Sequence, residues 1–199
     1  MTAQLDDRFL YKGTCYSVAG ISEGELFDPE ILSLKPESSC TACWRGFVVQ
    51  YGIANSRLVV DELEINLFEE CDEPFRDTVG PQINGASPAM QKDEFSMFNN
   101  HYFGLEYHLD YTGGLLLADG FISGLYVHMG FHPAWKYRRV VELIFENGVL
   151  TKSTDRSAAM ETLRRRILTG ENHMIDKHGN PTLSLAEFIE KAFDRSYRM

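Results

Sequence analysis

The segment 126–139 contains the chain's densest run of side chains that are suited to recognition chemistry. Its aromatic, imidazole and guanidinium members include Tyr126, His128, His132, Trp135 and Arg138. Such side chains are enriched at binding sites because they combine a large contact area with a polar end. With Trp44 and Arg45, the segment predicts a pocket for an anionic or nucleotide-like ligand. The alternative is that the rings pack in the core while the basic groups neutralise acidic neighbours.

Two other patterns resemble metal-binding spacings but lack the necessary geometry. His128 and His132 would share a face of a helix, but a glycine lies between them and a proline follows. In a strand they would lie about 13 Å apart, too far to share an ion. Cys40 and Cys43 form a C-x-x-C pair without the second ligand pair that a structural zinc site requires. The sequence therefore predicts reduced thiols, no metal site and no cofactor.

Sequence motifs of common enzyme classes are absent from the chain. It contains no G-x-S-x-G nucleophile elbow, no P-loop and no G-x-G-x-x-G dinucleotide turn. The sequence leaves catalysis undecided and favours a non-catalytic binding protein.

Acidic residues dominate the first three quarters of the chain. The formal net charge is −10; residues 1–150 carry 10 basic and 22 acidic side chains, against 9 and 7 in residues 151–199. Such a surface repels phosphate backbones, so nucleic-acid binding is not expected. An acidic surface is suited to a basic protein partner, because electrostatic attraction would accelerate the association of the two proteins. The predicted docking face consists of Glu62, Glu64, Glu69 and Glu70.

The local patterns predict an antiparallel sheet followed by helices. Residues 47–53 and 57–67 alternate in hydrophobicity around Asn55-Ser56, which predicts a hairpin. Asp119-Gly120 and Asn147-Gly148 predict two further hairpin turns, and residues 9–18 predict one more strand. Helical spacing of apolar residues predicts a helix over 157–168, and a capping box at Ser184 predicts a second helix extending to about residue 193.

Together these patterns predict an α+β fold, in which an antiparallel, curved sheet of about six strands is packed by two C-terminal helices. We expect one domain over 1–199, with a β-rich part (1–153) and a helical part (154–199). Residues 1–7 show no signal-peptide pattern, and no run of about 18 apolar residues occurs, so a cytoplasmic protein without membrane contact is expected. The predicted function is non-catalytic recognition of a protein partner, as in an inhibitor or immunity protein. The alternative is a small-molecule binder or enzyme, and a homo-oligomer is possible.

Overall fold

Ten β-strands and one α-helix make up the regular structure of the described residues. The computed structural model describes residues 2–38, 40–68, 78–90, 96–169 and 195–197. The strands are β1 (Arg8–Tyr11), β2 (Thr14–Ile21), β3 (Phe47–Ala54), β4 (Arg57–Ile65), β5 (Ala89–Met90), β6 (Asn100–Tyr102), β7 (Tyr107–His108), β8 (Gly113–Phe121), β9 (Tyr137–Glu146) and β10 (Val149–Asp155). The helix is α1 (Ser157–Leu168), and three short 3-10 helices span Pro29–Leu32, Ser123–Leu125 and Ala134–Lys136.

The strands belong to one sheet that closes on itself. Their hydrogen-bonded order is β10-β9-β8-β2-β1-β3-β4, and β10 returns to β4 through the pairing of Val149 with Arg57. A backbone hydrogen bond from the Leu58 N–H to the Gly148 carbonyl (2.8 Å) reinforces this junction. Strands β6 and β7 pair with other parts of β4, and β5 pairs with β6. A closed sheet of this kind encloses a space that side chains or a ligand must fill.

The main hydrophobic core occupies the enclosed space. Its fully buried members include Phe9, Tyr51, Leu63, Leu117 and Phe145, from five different strands. Neighbouring leucines of β8 alternate, as the strand period requires: Leu117 lies in this core, whereas Leu116 belongs to a second cluster. The second cluster also contains Val140 of β9, and the partly buried Met160 of α1 packs against it. The helix therefore packs on the outer face of the sheet.

Two of the predicted hairpins are confirmed. Asn55 and Ser56 have φ angles of 50° and 65° and join β3 to β4. Asn147 and Gly148 have φ angles of 49° and 76° and join β9 to β10. Two consecutive positive φ angles are typical of the turns whose twist matches that of antiparallel strands.

Two local predictions are wrong. Residues 9–18 form parts of two strands, because Lys12 and Gly13 turn the chain with positive φ angles of 49° and 77°. Asp119-Gly120 is not a hairpin turn, because β8 continues through it and Phe121 pairs with Tyr137 of β9. Gly120 has a φ of 71°. The conformational freedom of glycine therefore allows a local irregularity within β8.

The β-rich α+β fold class is confirmed, but three of its details differ. The sheet has more strands than the six predicted, and it is mixed because β1 lies parallel to β3. This arrangement depends on the long connection between β2 and β3, which carries no sequence signal for strand order. The helix over 157–168 is confirmed, whereas the second predicted helix lies outside the described residues.

The expectation of one domain stays a prediction. Among the described residues, no helix has both the length and the apolar character that a membrane span requires.

Candidate functional site

A cavity of about 680 Å³ lies at the end of the closed sheet where β1 and β3 begin and β2 ends. The aromatic and aliphatic part of its wall consists of Ile21, Leu26, Phe27, Phe47, Tyr51 and Phe131. The polar part includes Gln4, Asp7, Glu25, Asp28, Arg45 and Arg195, and Trp44 also lines the cavity. This volume is within the range of small-molecule sites, which commonly occupy the mouth of a closed sheet.

Asp7 is the centre of the polar wall. Its buried carboxylate accepts two hydrogen bonds from Arg45, from Nη1 to Oδ2 and from Nη2 to Oδ1, both at 2.9 Å. It also accepts one from Arg195 Nη1 (3.0 Å) and one from the Val49 backbone N–H (3.0 Å). Two guanidinium groups therefore share one carboxylate, an arrangement with a net charge of +1.

The electrostatic environment keeps Asp7 and Arg45 charged. Burial by itself would raise the pKa of Asp7, but attraction to Arg45 and Arg195 and the hydrogen bonds outweigh it and lower the pKa. Burial would likewise lower the pKa of Arg45, but the charge of Asp7 raises it. Burial, followed by the negative charge of Asp7, raises the pKa of the Tyr51 hydroxyl. Tyr51 is therefore neutral at physiological pH.

Both arginines pack against aromatic rings. The guanidinium carbon of Arg45 lies 4.8 Å from the ring centroid of Phe47 and 5.6 Å from that of Phe131. The guanidinium carbon of Arg195 lies 4.4 Å from the Phe131 centroid. Guanidinium groups within about 6 Å of a ring are attracted to its π-electron face. Phe131 thus contacts both arginines, which fixes their orientation.

Backbone contacts bring these distant parts of the chain together. The Ile21 N–H of β2 donates to the Arg195 carbonyl (2.8 Å), so the segment 195–197 lies alongside β2. The Gln4 N–H donates to the Gly130 carbonyl (2.8 Å), next to Phe131. The Gln4 side chain in turn accepts a hydrogen bond from the Trp44 N–H (3.0 Å).

A second carboxylate, Asp6, precedes Asp7 in the chain and is poorly solvated. Its Oδ2 accepts a hydrogen bond from the Tyr137 hydroxyl (3.1 Å), whereas its buried Oδ1 has no hydrogen-bond partner among the described residues. Burial raises the pKa of Asp6 from 3.8 to about 6, although hydrogen bonds from Tyr137 and Ser17 work in the other direction. The ionised form of Asp6 therefore destabilises the fold.

We predict that Asp6→Asn stabilises the protein at neutral pH. Because the pKa is raised on folding, protonated Asp6 favours the folded state below about pH 4, and this contribution is lost as the pH rises through about 6. A shift of this size corresponds to at most about 3 kcal/mol. Urea unfolding should show Asp6→Asn more stable than the original chain at pH 7.5 and nearly equal at pH 4. Asp110→Asn, on an exposed carboxylate, is the control; a gain for Asp6→Asn that is the same at both pH values would contradict the assignment.

The structure places the predicted ligand-binding residues in different parts of the molecule. Trp44 and Arg45 line the cavity, and Phe131 is the contribution of the segment 126–139. The others do not line the cavity: Tyr126, His128, His132 and Trp135 belong to the segment next to β9, and Arg138 is exposed on β9.

The predicted acidic face is partly neutralised within the protein. Glu64 forms an ion pair with Arg8 (2.5 Å), and Glu62 lies 3.5 Å from the His101 imidazole. Both glutamate side chains are largely buried. Glu69 and Glu70 lie outside the described residues.

The residues that complete the cavity carry no sequence signal that would group them. Asp7 and Arg195 are separated by 188 positions, and neither belongs to a motif. Only the neighbouring Trp44-Arg45 pair and Phe131, within an aromatic-rich segment, stand out by composition.

No group of three or more His, Cys, Asp or Glu side chains is arranged to hold a metal ion in the part of the chain that the structure describes. Cys15, Cys40 and Cys43 are free thiols. No family model, curated protein or solved structure matches this chain.

Proposed function

We propose that this protein binds a small organic anion in the cavity at the end of the closed sheet. The observation that carries the proposal is the pair of guanidinium groups, Arg45 and Arg195, that share the single carboxylate of Asp7 at the cavity wall and are oriented by it. The wall also contains the carboxylates of Glu25 and Asp28, so the support comes from the paired, preoriented guanidinium donors and not from an excess of positive charge.

The arginines retain donors for a ligand. Among the described residues, Arg45 uses one N–H of each terminal nitrogen for Asp7, and Arg195 uses one N–H for the same carboxylate. A guanidinium group has five N–H donors whose planar arrangement is suited to carboxylate or phosphate oxygens. Since Asp7 and the aromatic rings already orient both groups, little conformational entropy would be lost when a ligand binds.

The rest of the wall favours a ligand that also has a ring. Phe27, Phe47 and Phe131 line the cavity, and Trp44 is 48% exposed beside them. An exposed indole next to buried rings offers a surface on which a planar group can stack. We therefore expect aromatic carboxylates or nucleotides to bind better than aliphatic anions of the same charge.

The test is a thermal-shift screen of nucleoside monophosphates and aromatic carboxylates, each compared with its uncharged nucleoside or amide. Binding to the folded state raises its apparent stability by mass action, so at least one anion should stabilise the protein more than its neutral analogue does. Its affinity is then measured by calorimetry in Arg45→Lys, which keeps the charge next to Asp7 but loses the planar donor array. We expect affinity to fall about tenfold or more.

Arg138→Lys is the matched control, because Arg138 is exposed and does not line the cavity. It should leave affinity unchanged. The proposal is wrong if no anion in the screen stabilises the protein beyond its neutral analogue, or if the Arg45 and Arg138 variants bind equally well.

Recognition of a basic protein through the acidic face stays a prediction. It is supported by the acidic composition of residues 1–150, but Glu62 and Glu64 already have partners in His101 and Arg8. A basic partner would have to compete with those contacts. Capture of a partner that is equally strong after Glu62→Gln and Glu64→Gln would contradict this alternative. A cytoplasmic location and a homo-oligomeric state also stay predictions.

A further inference from the structure

Lys136 is a buried amine with no carboxylate partner among the described residues. Its side chain belongs to the 3-10 helix Ala134–Lys136, the residue is only 6% exposed, and no described Asp or Glu forms an ion pair with it. It does not line the cavity described above. Lysines are almost never buried to this degree without a partner, so the position calls for a physical explanation.

The imidazole of His132 lies next to the Lys136 amine. The Lys136 Nζ lies 3.5 Å from His132 Nδ1, and His132 is itself 8% exposed. The imidazole lies against Phe121, at 4.7 Å between ring centroids, and against Tyr126, at 5.2 Å. Its other nitrogen, Nε2, is buried without a hydrogen-bond partner among the described residues. The amine and the imidazole thus share an aromatic environment.

The Trp135 ring, whose centroid lies 5.5 Å from the Lys136 Nζ, attracts a positive charge on Lys136 weakly, but the charged and titratable groups packed around this helix do not compensate that charge. From α1, Arg164 donates a hydrogen bond to the Tyr137 carbonyl (3.0 Å), next to Lys136 in the chain. From β8, Asp119 forms its ion pair with Arg139. The hydroxyl of Tyr137 donates to Asp6.

The consequence is a lysine that loses its proton easily. Burial lowers the pKa of Lys136 to about 8, and burial together with the charge of Lys136 lowers the pKa of His132 to about 4. With such a value about a tenth of the Lys136 side chains are neutral at pH 7 and about half at pH 8. A neutral amine has a free electron pair and is a nucleophile, whereas an ammonium group is not.

We propose that Lys136 is a covalent binding site for small aldehydes, with which its amine forms a Schiff base. The nitrogen electron pair attacks the carbonyl carbon, the carbon–oxygen π electrons move to oxygen, and a proton passes from nitrogen to that oxygen. Loss of water from the resulting carbinolamine then gives the imine. His132 Nδ1 is the hydrogen-bond acceptor that holds the neutral amine in place, and the reaction requires no oxidant or reductant.

This site is independent of the proposed anion-binding cavity, and the test uses the unmodified chain. Glyoxylate is added with sodium cyanoborohydride, which reduces the imine to a stable carboxymethyl-lysine, and each modified lysine is located by peptide mass spectrometry. The exposed lysines Lys12, Lys35 and Lys152 are internal controls.

At pH 7.5 we expect Lys136 to be modified at least about tenfold faster than any of the three exposed lysines, because it has the larger neutral fraction. Its rate should level off above about pH 8, whereas the control rates should continue to rise. In concentrated urea the four rates should become similar, since the preference depends on the fold. Lys136→Arg, which keeps the charge, should lose the modification at this position only.

A buried lysine with a purely structural role gives a different result. If Lys136 is unmodified, or modified no faster than Lys12, Lys35 and Lys152 across the pH range, the proposal is wrong. A preference that persists in urea would also contradict it, because sequence context rather than the folded site would then be responsible.

Discussion

Asp7→Ala should destabilise the protein by about 3–5 kcal/mol, the range measured when one partner of a buried ion pair is removed. The substitution leaves Arg45 and Arg195 close together without their shared counter-charge. It also removes the acceptor of the hydrogen bond from the Val49 N–H. That bond connects the residue before β1 to strand β3. Urea unfolding at pH 7.5 measures the loss directly. Since domains are stable by only about 5–15 kcal/mol, this is a large fraction of the total.

The control is Asp110→Ala, which removes an exposed carboxylate 2.8 Å from Arg57. Exposed ion pairs contribute about 0–1 kcal/mol to stability. The difference in unfolding free energy between the two variants therefore measures how much the burial of Asp7 adds to the loss. If Asp7→Ala does not fold, Asp7→Asn is the milder variant, because it keeps one oxygen to accept from the arginines. A loss of less than about 1 kcal/mol in Asp7→Asn and Asp7→Ala alike would contradict the central role of this carboxylate.

Gly148→Ala should destabilise the protein by about 3 kcal/mol or more. Gly148 has a φ of 76°, which costs an L-residue roughly 1–2 kcal/mol. An added Cβ would also lie 2.2 Å from the Leu109 carbonyl oxygen, so the backbone must move. The Gly148 carbonyl accepts a hydrogen bond from the Leu58 N–H, and the Gly148 N–H donates one to the Tyr111 carbonyl. The movement would therefore disturb the junction between β10 and β4 that closes the sheet.

Gly13→Ala is the matched control for Gly148→Ala. Gly13 occupies the same position of the β1–β2 turn and has a φ of 77°, but an added Cβ would meet no atom within 4 Å. It should therefore show the conformational cost alone, about 1–2 kcal/mol. Thermal or urea unfolding of both variants separates this cost from the steric one. Equal losses in the two variants would mean that the β10–β4 junction tolerates the displacement.

The proposed cavity and the pairing of β1 with β3 depend on one another. Asp7 precedes β1, which lies between β2 and β3 in the closed sheet, and its carboxylate reaches β3 at Val49. Asp7→Ala should therefore destabilise the fold and release the two arginines that orient an anion, although it leaves their positive charges in place. Arg45→Lys changes mainly anion binding, because it keeps a positive charge next to Asp7.

Local structure was predictable where neighbouring residues decide it. Asn55-Ser56 and Asn147-Gly148 form turns because these residues accept positive φ angles at low cost. The helix Ser157–Leu168 follows from the 3.6-residue spacing of Met160, Leu163 and Ile167. Asp119-Gly120 has the same turn chemistry, yet β8 continues through it because β9 pairs on both sides. Strand pairing there overrides the local preference.

What the sequence alone determined was the β-rich α+β class, the acidic charge, two hairpins and the helix at residues 157–168; ligand recognition by Trp44 and Arg45 stays a prediction. These depend on composition or on residues a few positions apart. Only the tertiary structure decided that β1 inserts between β2 and β3, that β10 returns to β4, and that Arg195 shares Asp7 with Arg45. The physical reason is that contacts over such separations depend on how whole strands and segments pack, and single residues do not encode that choice locally.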